Sequence, residues 1–229
     1  MVDIRHYLNL SSTAKKVIGI YSDPESFSEN YKRIFDTEKK SFLRHYIVAN
    51  KPYAFDNYPI IFERICDYLS DSLGLNPMDI KLIGSAKTGF AISKSGFGKI
   101  YIGKNSDLDF SIINEKLFYE ILDEFEKWEK LFKEEKMLPR QSSYLENKYW
   151  NENLETGPRQ LRRGFIDSKY IPNRLEFPKN KRINSCLFYI KKYLKDIHSI
   201  EIKEGTASIY KNNESFINRL KFNTDKCIM

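Results

Sequence analysis

The sequence predicts a mixed α/β protein, a single unit with a helical N-terminal layer, and three observations carry that reading. Short apolar runs of strand character (78–83 and 107–113) stand between longer stretches whose apolar residues recur every three or four positions. The 229 residues suffice for one large domain or for a core with a helical attachment. No internal repeat, low-complexity tract or linker rich in Pro, Gly and Ser divides the chain. We therefore read residues 1–75 as a helical layer packed on a core of 76–229 that ends in helices.

The elements follow in order. Residues 23–50 read as one or two helices, with Ser22 or Asp23 as cap ahead of Pro24 at the first helical position. Phe27, Tyr31, Ile34 and Phe35, then Phe42, Tyr46 and Ile47, keep helical spacing. Lys51-Pro52-Tyr53 breaks the pattern, and a helix over 58–73 carries the stripe Ile60, Phe62, Ile65, Tyr68 and Leu69 before Gly74 ends it. Residues 78–83 are the first core strand, 84–93 a turn into a short helix, and 94–106, with three glycines, a flexible loop or hairpin. After strand 107–113 comes a long amphipathic helix over 115–135, with Phe118, Ile121, Leu122, Phe125 and Trp128 on its inner face. Residues 144–154 read as helix, 164–167 as a short strand and 181–195 as another helix. Residues 199–203 and 206–210 suggest a hairpin turning at Glu204-Gly205, and 213–222 a last helix.

Composition narrows the class. With 41% hydrophobic and 30% charged residues, the chain belongs among folded proteins rather than disordered ones. Cys66, Cys186 and Cys227 lie far apart with no metal-ligand spacing, which reads as two core thiols and a tail thiol. His6, His45 and His198 form no recognisable cluster. The N-terminus lacks the pattern of a signal peptide. No apolar run approaches the roughly 20 residues of a membrane span. A cytoplasmic protein without membrane insertion is the expectation. The net charge is +7, unevenly spread: residues 158–195 hold eleven Lys and Arg against Asp167 and Glu176 alone. Such a field suits phosphates on a nucleotide or a nucleic-acid strand, and a solvated basic face explains it too. No helix-turn-helix or zinc signature supports a purely nucleic-acid-binding protein.

The segment 81–114, KLIGSAKTGFAISKSGFGKIYIGKNSDLDFSIIN, carries the chemistry. Asp107 and Asp109 project from one face of a strand, because alternate residues do. Paired carboxylates that both stay ionised hold a cation between them, and hard oxygen ligands suit Mg²⁺. Gly84-Ser85 opens a helix, where backbone N–H groups and the Ser hydroxyl suit the β- and γ-phosphates of a triphosphate. Transfer of a nucleotidyl group also calls for a third carboxylate beside the nucleophile. Asp167, ending the run Gly164-Phe165-Ile166 and 58 residues past Asp109, is the candidate; capping the turn at Ser168-Lys169 is its alternative reading.

The order of apolar strand, Gly-Ser, helix and Ser-Asp-Leu-Asp-Phe-Ser-Ile-Ile resembles the DNA polymerase β superfamily of nucleotidyltransferases over about residues 80–167. The resemblance implies a palm with a mixed, mostly antiparallel sheet flanked by helices. It also implies two Mg²⁺ or Mn²⁺ ions held by Asp107, Asp109 and Asp167, and an NTP or dNTP donor such as ATP. A nucleotide, an oligonucleotide or a protein hydroxyl would serve as acceptor. The 22 positions between Ser85 and Asp107 exceed the gap of the smallest members, so the loop is an insertion. Its Lys94, Lys99 and Lys104 either close over the nucleotide or are simply solvated. Lys87 and Thr88 in the first turn, and Arg162 and Arg163 ahead of the third strand, are further phosphate candidates. Lys191, Lys192 and Tyr193 resemble the residues that clamp the triphosphate and stack on the base, although an apolar helix face also explains Tyr193.

Within the superfamily the chain is similar to small bacterial antiphage-defence members of the Hailong type, on the runs Lys51-Pro52-Tyr53-Ala54-Phe55 and Ala207-Ser208-Ile209-Tyr210-Lys211. That implies an oligonucleotide signal read by an effector or toxin partner, with surface residues such as Ser11, Ser12, Thr13 or a tyrosine as primer. A homodimer face is compatible with the long amphipathic helix. The alternative is a catalytically inactive nucleotidyltransferase fold that binds nucleotide, nucleic acid or a partner.

Overall fold

A computed structural model of the chain describes residues 11–16, 22–140 and 144–228; His6 and part of the expected 1–75 layer lie outside them. The fold is mixed α/β. Its centre is a four-stranded sheet in the order β1-β2-β4-β3, with β1 Ile80–Ile83, β2 Leu108–Ile113, β3 Phe165–Asp167 and β4 Gly205–Tyr210. β1 and β2 are antiparallel, β2 and β4 parallel, β4 and β3 antiparallel.

Strand alternation gives the sheet two different faces. Ile80, Leu82, Leu108, Phe110, Ile112, Ile166, Ala207 and Ile209 form one, wholly apolar. Against it pack α3 (Pro59–Leu73), α5 (Glu115–Lys133), α6 (Tyr144–Arg162) and α7 (Pro178–His198). Trp128 of α5 is completely buried there, its ring edge-on to Trp150 of α6 at 5.8 Å. The other face changes character along its length. At one end Ile113, Phe165 and Tyr210 meet α1 (Pro24–Arg33), α2 (Lys39–Leu43, continued as a π-helix to Ala49) and α8 (Asn213–Ile228). At its other end stand Asp109, Thr206, Ser208 and Asp167. The residues of the expected N-terminal layer thus divide, α1 and α2 covering one face and α3 the other.

Local chemistry sets the element ends. Asp23 accepts from the Ser26 N–H and Pro24 takes the first helical position of α1. Asn114 caps α5 through the Leu117 N–H at 2.9 Å. The first turn of α7 is capped from outside: the buried Glu124 of α5 accepts the N–H groups of Lys179 and Asn180 at 2.8 and 2.9 Å. A carboxylate at the positive end of a helix dipole is a favourable placement.

Several boundaries differ from expectation, two with consequences. The helix over 144–154 runs on through Gly157 and Pro158 to Arg162. Proline forfeits one hydrogen bond, but Gly157 lets α6 lie against the Phe125 ring, where a Cβ would come within 2.3 Å of Cζ. The hairpin over 199–210 does not form. Ser199 caps α7 in the left-handed region, and residues 200–204 run beside the Asp107 loop, with Lys203 N–H donating to Ser106 O. β4 instead enters the middle of the sheet, parallel to β2. The 94–106 insertion folds back on itself through the Phe90–Ile100 bridge. Phe90 is buried edge-on to Phe27, which ties the insertion to α1. Cys66 and Cys186 are buried free thiols and Cys227 is half-buried. No helix among the described residues is long and apolar enough to cross a membrane.

Candidate active site

Ile83 pairs with Asp109 across the β1–β2 ladder, and the chain turns at the next residue, Gly84, with φ 70 and ψ −163. That region belongs to glycine. A Cβ there would also lie 2.6 Å from Asp109 Oδ2. The Gly-Ser turn and the D-x-D strand are therefore in direct contact, and α4 (Ser85–Thr88) leaves from that point.

Register assembles the rest. Asp109 pairs with Thr206 and Asp167 with Ser208, so all four side chains share one sheet face at one end of the strands. Thr206 Oγ1 donates to Asp109 Oδ1 at 2.6 Å, and Ser208 Oγ donates to Asp167 Oδ1. Asp107 stands immediately ahead of β2. Its Oδ2 is 3.6 Å from Lys203 Nζ, whereas its Oδ1 is buried without a hydrogen-bond partner among the described residues. From α8, Arg219 Nη1 reaches Asp167 Oδ1 at 3.2 Å, and the guanidinium lies 3.8 Å from the centre of the Phe165 ring.

The electrostatics are those of crowded carboxylates. Burial pushes the Asp109 carboxyl above its ordinary value, and the charges of Asp107 and Asp167 push the same way, against the Thr206 hydrogen bond and Lys169. A partnerless buried oxygen on Asp107 beside a carboxylate that resists ionisation fits a hard divalent cation between the two. Such a cation would partner the first and offset the charge on the second. Asp167 is engaged differently, by Arg219 and Ser208. Among the described residues no group of three or more His, Cys, Asp or Glu side chains is arranged to hold a metal ion together.

The remaining sequence candidates scatter. Ser85 is half-buried at the start of α4. Lys87 is buried and donates to the carbonyls of Val48 (3.4 Å) and Asn50, bracing α4 against the end of the helix that continues α2. Burial, with Lys81 nearby, lowers its pKa to about 8. Thr88 Oγ1 donates to Phe90 O at 2.7 Å and is buried. Lys94, Lys99 and Lys104 are exposed. Arg162 and Arg163 are exposed, with the Arg163 guanidinium 4.9 Å from the centre of the Phe222 ring. Lys191 Nζ donates to Lys203 O at 2.5 Å, which places it on the chain segment beside Asp107. Lys192 is exposed, and Tyr193 lines an apolar groove between α3 and α7, in the layer on the other side of the sheet. Ser11, expected on the surface, is buried, with its N–H and hydroxyl both donating to Glu38 at 2.7 Å; Ser12 is exposed.

Thr206, Ser208, Lys169, Lys203 and Arg219 escaped sequence reasoning. The alternation Thr206-Ala-Ser208 was a usable signal, a polar face with period two, hidden by its assignment to a hairpin. Arg219 had no local signal at all. No protein-family model, curated protein or solved structure matches this chain.

Proposed function

We propose that this protein is a nucleotidyltransferase of the polymerase β kind. In this reading it moves a nucleoside monophosphate from an NTP or dNTP to a hydroxyl acceptor and releases pyrophosphate. The observation that carries the reading is the contact between the glycine turn and Asp109. It brings the Gly-Ser turn against Asp109 of β2, with Asp107 immediately ahead of that strand and Asp167 two strands from Asp109 on the same face.

In this reading Asp107 and Asp109 hold Mg²⁺ or Mn²⁺, which when bound neutralises triphosphate charge and lowers the pKa of the attacking hydroxyl. The protein's own part is positioning. Thr206 fixes one oxygen of Asp109 while Gly84 leaves room for the other. Asp167, held by Ser208 and Arg219, would serve the acceptor side. The cations at the carboxylates are Lys203, 3.6 Å from Asp107, and Lys169, whose charge acts on Asp109; in this reading they face the phosphates. The narrower reading, a defence enzyme whose oligonucleotide product signals to an effector, is supported by the sequence resemblance alone. A second reading, a catalytically inactive fold that binds nucleotide or a partner, draws on the Asp167–Arg219 ion pair, which occupies the third carboxylate.

The test is incubation with each labelled NTP and dNTP and Mg²⁺ or Mn²⁺, followed by pyrophosphate assay and mass analysis of product and protein. Transfer is expected, and it should disappear in Asp107→Asn and Asp109→Asn while both variants stay folded. If all eight nucleotides remain intact with candidate acceptors present, the inactive-fold reading replaces this one.

A further inference from the structure

A cation-lined cleft stands apart from the carboxylate pair Asp107 and Asp109. Between the last turns of α6 and the outer face of α8, against the open edge of β3, lies a cleft of about 700 Å³. Arg159 on α6 and Arg163 just past its end, with Arg219 and Lys226 two turns apart on α8, all line it. No carboxylate does. Among the described residues no acidic side chain pairs with Arg159, Arg163 or Lys226, and all three are exposed. Their charge is therefore uncompensated, in a protein whose other lysines and arginines often hold carboxylate partners, as Lys221 does with Asp36 and Asp225.

The rest of the lining says which anion. Gln160, Asn218 and Asn223 contribute amides, which can donate and accept at the edges of bases, and Gln160 Oε1 is buried without a partner. Phe222 adds a 40%-exposed ring against which Arg163 and Lys226 both lie. Fixed cations for phosphates, beside amides and an aromatic ring for bases, make up the usual surface for single-stranded nucleic acid. The volume exceeds what one phosphate needs.

We propose that this cleft binds a single-stranded oligonucleotide through its phosphodiester backbone. Arg219 joins it to the carboxylates, since the same guanidinium lines the cleft and reaches Asp167. A strand lying in the cleft is thereby directed toward Asp167. Binding itself does not require that transfer be catalysed, so it is measured in EDTA, where the proposed chemistry cannot run.

The experiment is fluorescence anisotropy of a short labelled oligothymidylate with the full chain at several salt concentrations. We expect saturable binding that weakens with salt. Arg159→Gln, Arg163→Gln and Lys226→Gln should each weaken it by roughly fivefold and lower the salt slope by about 0.7. Lys192→Gln, an exposed lysine of the same basic stretch on α7, should leave it unchanged. Circular dichroism checks that each variant is folded. The proposal is overturned by absence of binding, by equal weakening in Lys192→Gln, or by insensitivity to the three cleft substitutions. It is equally overturned if tripolyphosphate, ATP or polyglutamate displaces the probe as readily as unlabelled oligonucleotide, because the cleft would then be a general anion site.

Discussion

Replacing Gly84 by alanine is the sharpest perturbation of the site. Two costs arise at one atom. The backbone at φ 70, ψ −163 is open to glycine and costs a side chain about 1–3 kcal/mol. The new Cβ would also lie 2.6 Å from Asp109 Oδ2, so the carboxylate or the turn must move by about 1 Å to restore ordinary contact. A displacement of that size in a catalytic group costs on the order of 10²-fold in rate. Gly74 supplies the control. It has the same φ of 70, in the left-handed cap of α3, but a Cβ there meets nothing within 4 Å. Gly74→Ala should therefore lose only about 1 kcal/mol in urea unfolding and keep full nucleotide transfer. Gly84→Ala should lose more stability and nearly all transfer. Equal stability losses in the two variants, with transfer in Gly84→Ala within threefold of the parent, would refute the contact between the turn and Asp109.

Three further outcomes follow from the same geometry. The raised Asp109 pKa means that the folded protein keeps that proton at pH values where the unfolded chain has lost it. Stability therefore falls as pH rises above the unfolded value near 3.8. Asp109→Asn should then be more stable than the parent at pH 7.5 in EDTA, by urea midpoint; a loss of stability would contradict the cost of ionising this buried carboxyl. Lys87 gives the opposite slope: with its folded pKa near 8 against 10.5 unfolded, the parent should gain stability between pH 8 and 10.5. The gain is on the order of 3 kcal/mol, from 1.36 kcal/mol per pH unit, and Lys87→Met should lack it when urea midpoints are compared at both ends. Gly157→Ala drives a methyl into the Phe125 ring and should cost about 1–3 kcal/mol by overpacking, part of it recovered when Phe125→Leu is added.

Much of this fold was legible from residue order. Period 3.6 located α3, α5 and α7, and the capping signals at Asp23 and Gly74 behaved as local chemistry requires. Period two located β2 and put Asp109 on its polar side, with Asp107 just ahead of the strand. The failures share a cause. The helix through Pro158 survives because a distant ring, Phe125, rewards continuation, and the 199–210 hairpin fails because β4 finds better partners in β2 and β3 than in its own neighbour. Local pattern describes what a segment can do alone, while pairing decides which option is realised.

The site divides in the same way. The sequence by itself determined the carboxylates of Asp107 and Asp109, the glycine turn and the basic stretch after Pro158, because these depend on residue type and short spacing. Only the tertiary structure decided that Gly84 touches Asp109, that Thr206 and Ser208 lie between the two outer aspartates, and that Asp167 answers to Arg219. Asp167 and Arg219 are 52 residues apart. Sheet register and helix packing bring them together, and neither leaves a mark on the residues next to them in the chain.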